Sequence, residues 1–251
     1  MISGRLIPIL NEFSELYEPR IPILKEENIT DKFYELLKTP QDYDDELEEI
    51  VEYLFSALKE YKAIPKIQII DLIITLIKII DMQDSYTYQH SKNVSNYSKA
   101  LAERLNLSAI TVRRLYVSGL VHDVGKILIP ASILNKTSSL TEEEFKIMKL
   151  HVEISEDILK RIPFLDVLLP IVGAHHERIN GKGYPKKLKG EEISINARIL
   201  AIADAFDAMT TSRVYKNKLS FGEAIKEIKN NSGNQFDPYL ADEFINMLSE
   251  K

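Results

Sequence analysis

The stretch Ile199-Leu200-Ala201-Ile202-Ala203-Asp204-Ala205-Phe206-Asp207-Ala208-Met209 is apolar nearly all the way round when wound as a helix. A helix without a polar face has to be buried. Asp204 lies in its middle, and a buried carboxylate without a partner is costly. A cation is the natural partner. The chain must therefore wrap other elements around this one and bring something positive to Asp204.

The surrounding elements also read as helices. From Lys66 onward there is no alternating strand run and no hairpin dipeptide between strands. Thr141 and Glu144 have the spacing of a capping box, as do Ser220 and Glu223. Asp237 followed by Pro238 reads as the cap and first position of a last helix. The helix begun at Thr141 is expected to run on with Phe145, Met148, His151, Val152 and Ile158 along one face. An all-α fold follows, a helical bundle.

Pro65 is the expected boundary, because the residue before a proline is pushed out of helical geometry. Residues 1–65 read as a small acidic helical region, regulatory or packing in role. In it Asp44, Asp45, Glu46, Glu48 and Glu49 precede Ile50, Val51, Leu54, Phe55 and Leu58. Residues 66–251 read as the catalytic domain. The apolar run Ile67–Ile80 contains Asp71 and Lys78 and falls short of the roughly twenty residues of a membrane span. It reads as a buried or interfacial helix, against which the N-terminal helices pack or a second copy pairs.

The chain has no cysteine, so any metal must be held by imidazole and carboxylate. Its net charge of −6 argues against a nucleic-acid polymer as partner but not against a small anion. Met1–Leu10 does not read as a signal peptide, and a cytoplasmic setting is expected.

There are five histidines. His90 shares helical spacing with Val94, Tyr97 and Leu101, and His122 with Leu115 and Gly119. Asp123 follows directly, just before Gly125, which is expected to end that helix. His151 lies on the apolar face already described, and His175-His176 forms a pair. Five imidazoles with Asp123 and Asp204 exceed the needs of one ion. A two-metal site with Asp123 bridging is the natural reading. Such donors suit iron, manganese, zinc or nickel better than calcium.

The motifs resemble those of a known family. His122-Asp123-Val124-Gly125-Lys126 has the form HDxGK, and His175-His176-Glu177 with Gly181-Lys182-Gly183-Tyr184-Pro185 is similar to the HHE and GxGYP signature. These are marks of the HD-GYP phosphodiesterases, within the HD phosphohydrolases. The resemblance covers about residues 76–248. It implies hydrolysis of cyclic di-GMP to pGpG or GMP by metal-activated water. It places the metal ligands at His90, His122, Asp123, His151, His175, His176 and Asp204. It gives catalytic roles to Asp123 and Lys126, and puts substrate contacts at Lys126, Tyr184, Arg213 and Lys216. Two divalent transition-metal ions are expected, iron first and manganese next. Tyr184 is also expected at a surface for diguanylate cyclase (GGDEF) partners.

Three departures stand out. Tyr86 occupies the place of a glutamate that holds a third metal in some members, which favours two ions. Asn180 replaces an aspartate before the GxGYP glycines. Ser212 and Val214 flank Arg213 where aspartate and proline are more usual. No clear acid for the leaving oxygen emerges; Asp207 is either that acid or a residue orienting a ligand histidine. Two other functions fit the same motifs: an inactive metal-bound receptor or adaptor, and a hydrolase of another nucleotide.

Overall fold

A computed structural model describes residues 87–162, 165–211 and 219–250. The expected boundary at Pro65, the helix Ile67–Ile80 with its N-terminal packing, Tyr86, Arg213 and Lys216 lie outside the described residues. Nine α-helices are described: α1 (Thr87–Arg104), α2 (Ala109–Val121), α3 (Ala131–Leu134), α4 (Glu142–Lys149), α5 (His151–Arg161), α6 (Leu169–Val172), α7 (Ile195–Thr210), α8 (Phe221–Asn230) and α9 (Pro238–Ser249). Short 3-10 turns occupy Val124–Leu128, Asp166–Leu168 and Gly190–Glu192. No strand occurs among the described residues, only the isolated bridges Asn180–Lys189 and Ser232–Phe236.

The apolar helix around Asp204, α7, is the central one. It packs against α1, α2, α6, α8 and α9. Ile199, Leu200, Ile202, Ala203 and Phe206 are buried, among Val94 and Leu101 of α1, Leu115 of α2, Ile228 of α8 and Phe244 of α9. Phe206 meets Tyr97 and Phe244 edge to face, at 5.2 and 5.3 Å between ring centres. α7 thus serves as the spine against which the ligand-bearing helices are aligned.

The helix starts follow from local chemistry. Thr141 and Ser220 each close a full capping box with the glutamate three residues on. The Asp237 side chain accepts from the Leu240 amide, with Pro238 at the first helical position. Arg198 of α7 also donates to the Asp237 carboxylate at 2.6 Å, tying the start of α9 to the spine. No helix among the described residues is long and apolar enough to cross a membrane.

Two expectations about helix ends are corrected. The Thr141 helix does not run on through His151 as one element. α4 stops at Lys149, Leu150 makes a tight turn with its amide on the Ile147 carbonyl, and α5 starts at His151. α4 buries none of its residues and Phe145 is 46% exposed, whereas His151, Val152 and Ile158 are buried. Nor does Gly125 end the His122 helix. α2 ends at Val121, and the His-Asp pair lies in the turn beyond it.

Candidate metal centre

Seven side chains from separate parts of the chain converge. His90 comes from α1, His122 caps α2, Asp123 follows it, His151 opens α5, His175 and His176 follow α6, and Asp204 is in α7. They fall into two groups, Asp123 with His151, His175 and His176, and His90 with His122 and Asp204. Within each group the ligand atoms all lie within 4.8 Å of one another. Asp123 stands between the groups. Its Oδ1 is 3.3 Å from His151 Nε2, while its Oδ2 is 3.3 Å from His122 Nε2 and 4.0 Å from His90 Nε2. Asp204 places Oδ1 3.2 Å from His90 Nε2 and Oδ2 3.9 Å from His176 Nδ1.

The imidazoles are held in a common way. His122, His151 and His175 each direct Nδ1 at the backbone oxygen three residues earlier, of Gly119, Met148 and Val172, at 2.9, 2.7 and 2.5 Å. Each histidine sits where a helix or turn has just ended, and carbonyls in a last turn are short of amide partners. A ring N–H that satisfies such a carbonyl leaves Nε2 with its lone pair aimed inward. His90 achieves the same through Asp207, whose Oδ2 is 2.7 Å from its Nδ1.

Four of the inward atoms have no hydrogen-bond partner among the described residues. Nε2 of His122, His151 and His175 and Oδ1 of Asp123 are buried and make no hydrogen bond. Buried polar atoms without partners are rare and call for an explanation. Lone pairs of nitrogen and carboxylate oxygen facing one space fit divalent transition metals. The residues present therefore fit a metal centre.

Electrostatics point the same way. Burial drives His175 down to about 3, helped by its imidazole neighbours, and it also lowers His151 and His176. These rings are neutral, as ligands must be. Burial opposes ionisation of Asp123, but the Lys126 ammonium and His122 hold its carboxyl well below the usual range. Asp204 is likewise held low, against burial, by His90. Burial pulls His90 down, yet its hydrogen bonds to Asp204 and Asp207 outweigh this and raise it to about 9. An ion bound between these carboxylates would compete with a proton for His90.

The residues that brace the ligands are mostly ones the sequence did not announce. Ser155 accepts from the Gly125 amide at 2.8 Å and donates to the His122 carbonyl at 3.1 Å, fastening the His-Asp turn to α5. Asn93 donates to Asp207 Oδ1 at 2.7 Å, and Thr211 adds a second donor at 3.2 Å. Asp207 is buried against His90, so of its two expected roles the geometry favours orientation. Glu177 of the HHE motif is buried and accepts from the amides of Lys186 and Leu188 at 2.7 and 3.0 Å. It clamps the loop that carries Tyr184. Gly183 is packed so closely that a Cβ would come within 2.4 Å of the Glu177 backbone. Only Glu177 had a signal, its place in the HHE motif; Ser155 and Asn93 had none.

The expected substrate residues divide. Lys126 lies beside the cluster with its ammonium 2.5 Å from Asp123 Oδ2. Tyr184 is half-buried with its ring 4.8 Å from that of His176. Asn180, the departure from the expected aspartate, uses its amide: Nδ2 donates to the Asn234 side chain and Oδ1 accepts from the Lys182 amide.

Asp207→Ala should weaken metal binding at the His90 side by about 10–100-fold, the usual effect of removing a group that orients a ligand histidine. Metal titration of the purified variant checks this. An unchanged affinity means that His90 needs no anchor.

Residues 75–240 match the family model described as HD domain. Over 186 residues the chain is 39% identical to a cyclic di-GMP phosphodiesterase of Thermotoga maritima, covering 72% of this chain and 50% of that protein. It is 35% identical over 158 residues to 3'3'-cGAMP-specific phosphodiesterase 1 of Vibrio cholerae, covering 63% of this chain and 37% of that one. The chain thus spans half or less of the length of these curated relatives. Its fold is that of a cyclic GMP-AMP specific phosphodiesterase from Vibrio cholerae, with a TM-score of 0.56 at 22% identity over 72% of this chain and 48% of the other. A family match across most of the sequence, joined to one cluster that unites His122-Asp123, His175-His176-Glu177 and the Tyr184 loop, makes this chain a member of the HD domain family, on its HD-GYP branch.

Proposed function

We propose that the protein is a metal-dependent phosphodiesterase that hydrolyses cyclic di-GMP to pGpG, GMP or both. The observation that carries this reading is the pair of ligand groups with Asp123 between them and buried lone pairs pointing at a shared space. His90, His122 and Asp204 would hold one ion, His151, His175 and His176 the other, and Asp123 both. When bound, two such ions act as Lewis acids and bring the pKa of water toward neutrality. Iron is the first expectation and manganese the second.

The protein's own groups do the rest. Asp207 and the three backbone carbonyls keep the imidazoles in one tautomer. Lys126, at the edge of the cluster, supplies a positive charge where phosphate oxygens become more negative. Arg213 and Lys216 grip the substrate phosphates, arginine being suited to a bidentate hold. Tyr184 lines the lip of the site. Residues 66–251 form the catalytic domain in this reading, and residues 1–65 the regulatory or packing region. The absence of cysteine supports a cytoplasmic setting. The Tyr184 loop is the surface proposed for diguanylate cyclase partners, and a homodimer is part of the same reading.

The test uses full-length protein purified without oxygen and reconstituted with iron or manganese. It should bind about two ions per chain, as a two-metal site requires, and linearise cyclic di-GMP in preference to other nucleotides. A fully occupied third ion overturns the binuclear reading. Loaded metal without turnover points to a receptor or adaptor, and preference for another nucleotide to a different hydrolase.

A further inference from the structure

A run of four aromatic rings leads outward from the metal centre. His175 and His176 lie 4.0 Å apart between ring centres, and His176 and Tyr184 4.8 Å apart with planes inclined by 34°. Tyr184 then meets Phe145 at 6.4 Å and 78°. Phe145 ends the run as an exposed ring on α4. Lys149, one helical turn further on, sets its Nζ 4.6 Å from the centre of the Phe145 ring and 5.6 Å from that of Tyr184. It forms no ion pair with a described carboxylate.

The neighbouring loop adds charge of the same sign. Residues 182–189 include Lys182, Lys186, Lys187 and Lys189 and no acid. Glu156 engages Lys186 at 2.7 Å, while Lys182 and Lys187 are exposed. Lysines thus outnumber acids within the loop itself, with Glu156, Glu191 and Glu192 at its borders. The feature is also specific in kind. An exposed aromatic face offers stacking to any nucleobase, and an ammonium beside it offers a point charge to phosphate.

A cyclic dinucleotide has two phosphates and two bases on one ring. With one phosphate at the histidine cluster, the other phosphate and at least one base must rest further out. The aromatic run ends in that direction, on a ring and a cation that neither the metal centre nor the core employs. Phe145 lies on α4, which buries none of its residues, while His151 at the start of α5 is buried in the cluster.

We propose that Phe145 and Lys149 form an outer subsite for a cyclic dinucleotide, Phe145 stacking one base and Lys149 taking the phosphate that is not cleaved. This subsite rests on the phosphodiesterase reading above.

Two measurements on the full chain test it, with Phe145→Ala, Phe145→Tyr, Lys149→Met and wild type. The first is calorimetric binding of cyclic di-GMP to metal-free protein, in which nothing is cleaved. Phe145→Ala and Lys149→Met should each weaken binding about tenfold, the size of one lost base stack or phosphate contact, and Phe145→Tyr should restore it. The second is the ratio of kcat/KM for cyclic di-GMP to that for bis(p-nitrophenyl) phosphate, which is too small to reach the subsite. That ratio should fall about tenfold in the same two variants. Wild-type affinity in both variants, or an unchanged ratio, overturns the subsite, as does absence of binding in the wild type. Binding by the wild type without turnover overturns the phosphodiesterase reading instead, and the binding comparison then still decides the subsite.

Discussion

Replacing Asp123 with alanine should strip the centre of both ions and reduce cyclic di-GMP hydrolysis to background. Its two oxygens face different histidine groups, Oδ1 toward His151 and Oδ2 toward His122 and His90. Among the described residues no other carboxylate is placed to replace it on the His151 side, where Asp204 lies 3.9 Å from His176. The variant also leaves the Lys126 ammonium without the carboxylate it now touches at 2.5 Å. A cation then stands beside imidazoles that are meant to receive cations, which further disfavours metal. Elemental analysis of the purified variant decides the matter. Two retained ions would show that Asp123 does not bridge, whatever happens to activity.

Gly125→Ala should destabilise the whole protein and disorder the His-Asp turn. A Cβ at this position would lie 2.1 Å from the His151 carbonyl oxygen and 2.6 Å from the Ser155 amide nitrogen. Both are backbone atoms, which cannot swing aside as a flexible side chain can. Overpacking of a tight site typically costs up to ~3 kcal/mol. For a protein of this size that lowers Tm by roughly 6–12 °C. The substitution acts at the seam between the two ligand groups, because Gly125 and Ser155 join the His122 turn to the helix that His151 opens. Thermal melts of the metal-free variant separate this packing effect from loss of bound metal. A Tm within a degree or two of wild type would mean that α5 can retreat without cost.

The candidate ligands were legible because metal chemistry is written in residue types. A protein without cysteine has only imidazole and carboxylate to offer, and the five histidines with Asp123 and Asp204 make a set too large for one ion. Helical class and helix starts were legible because they depend on neighbours in the chain. Thr141, Ser220 and Asp237 cap as expected, since a side-chain oxygen three residues from an unpaired amide needs no tertiary help. The buried spine was legible from its lack of any polar face.

Helix ends were not, and the site depends on them. Gly125 was expected to terminate a helix, yet it is there because another backbone passes within contact distance, a fact of packing with no local signal. The break at Leu150 has no proline or glycine to announce it. Beyond it His151 directs Nδ1 at the Met148 carbonyl and places Nε2 3.3 Å from Asp123, while Phe145 before it lies at the surface. Pairings between distant residues, such as His90 with Asp207 and Gly125 with Ser155, were equally hidden. Sequence alone therefore determined which atoms are available to hold metal and that helices present them. Only the tertiary structure decided how those atoms divide into two groups about Asp123 and which lone pairs point inward. Residue type sets what a side chain can bind, whereas direction is set by where each helix stops and what packs against its end.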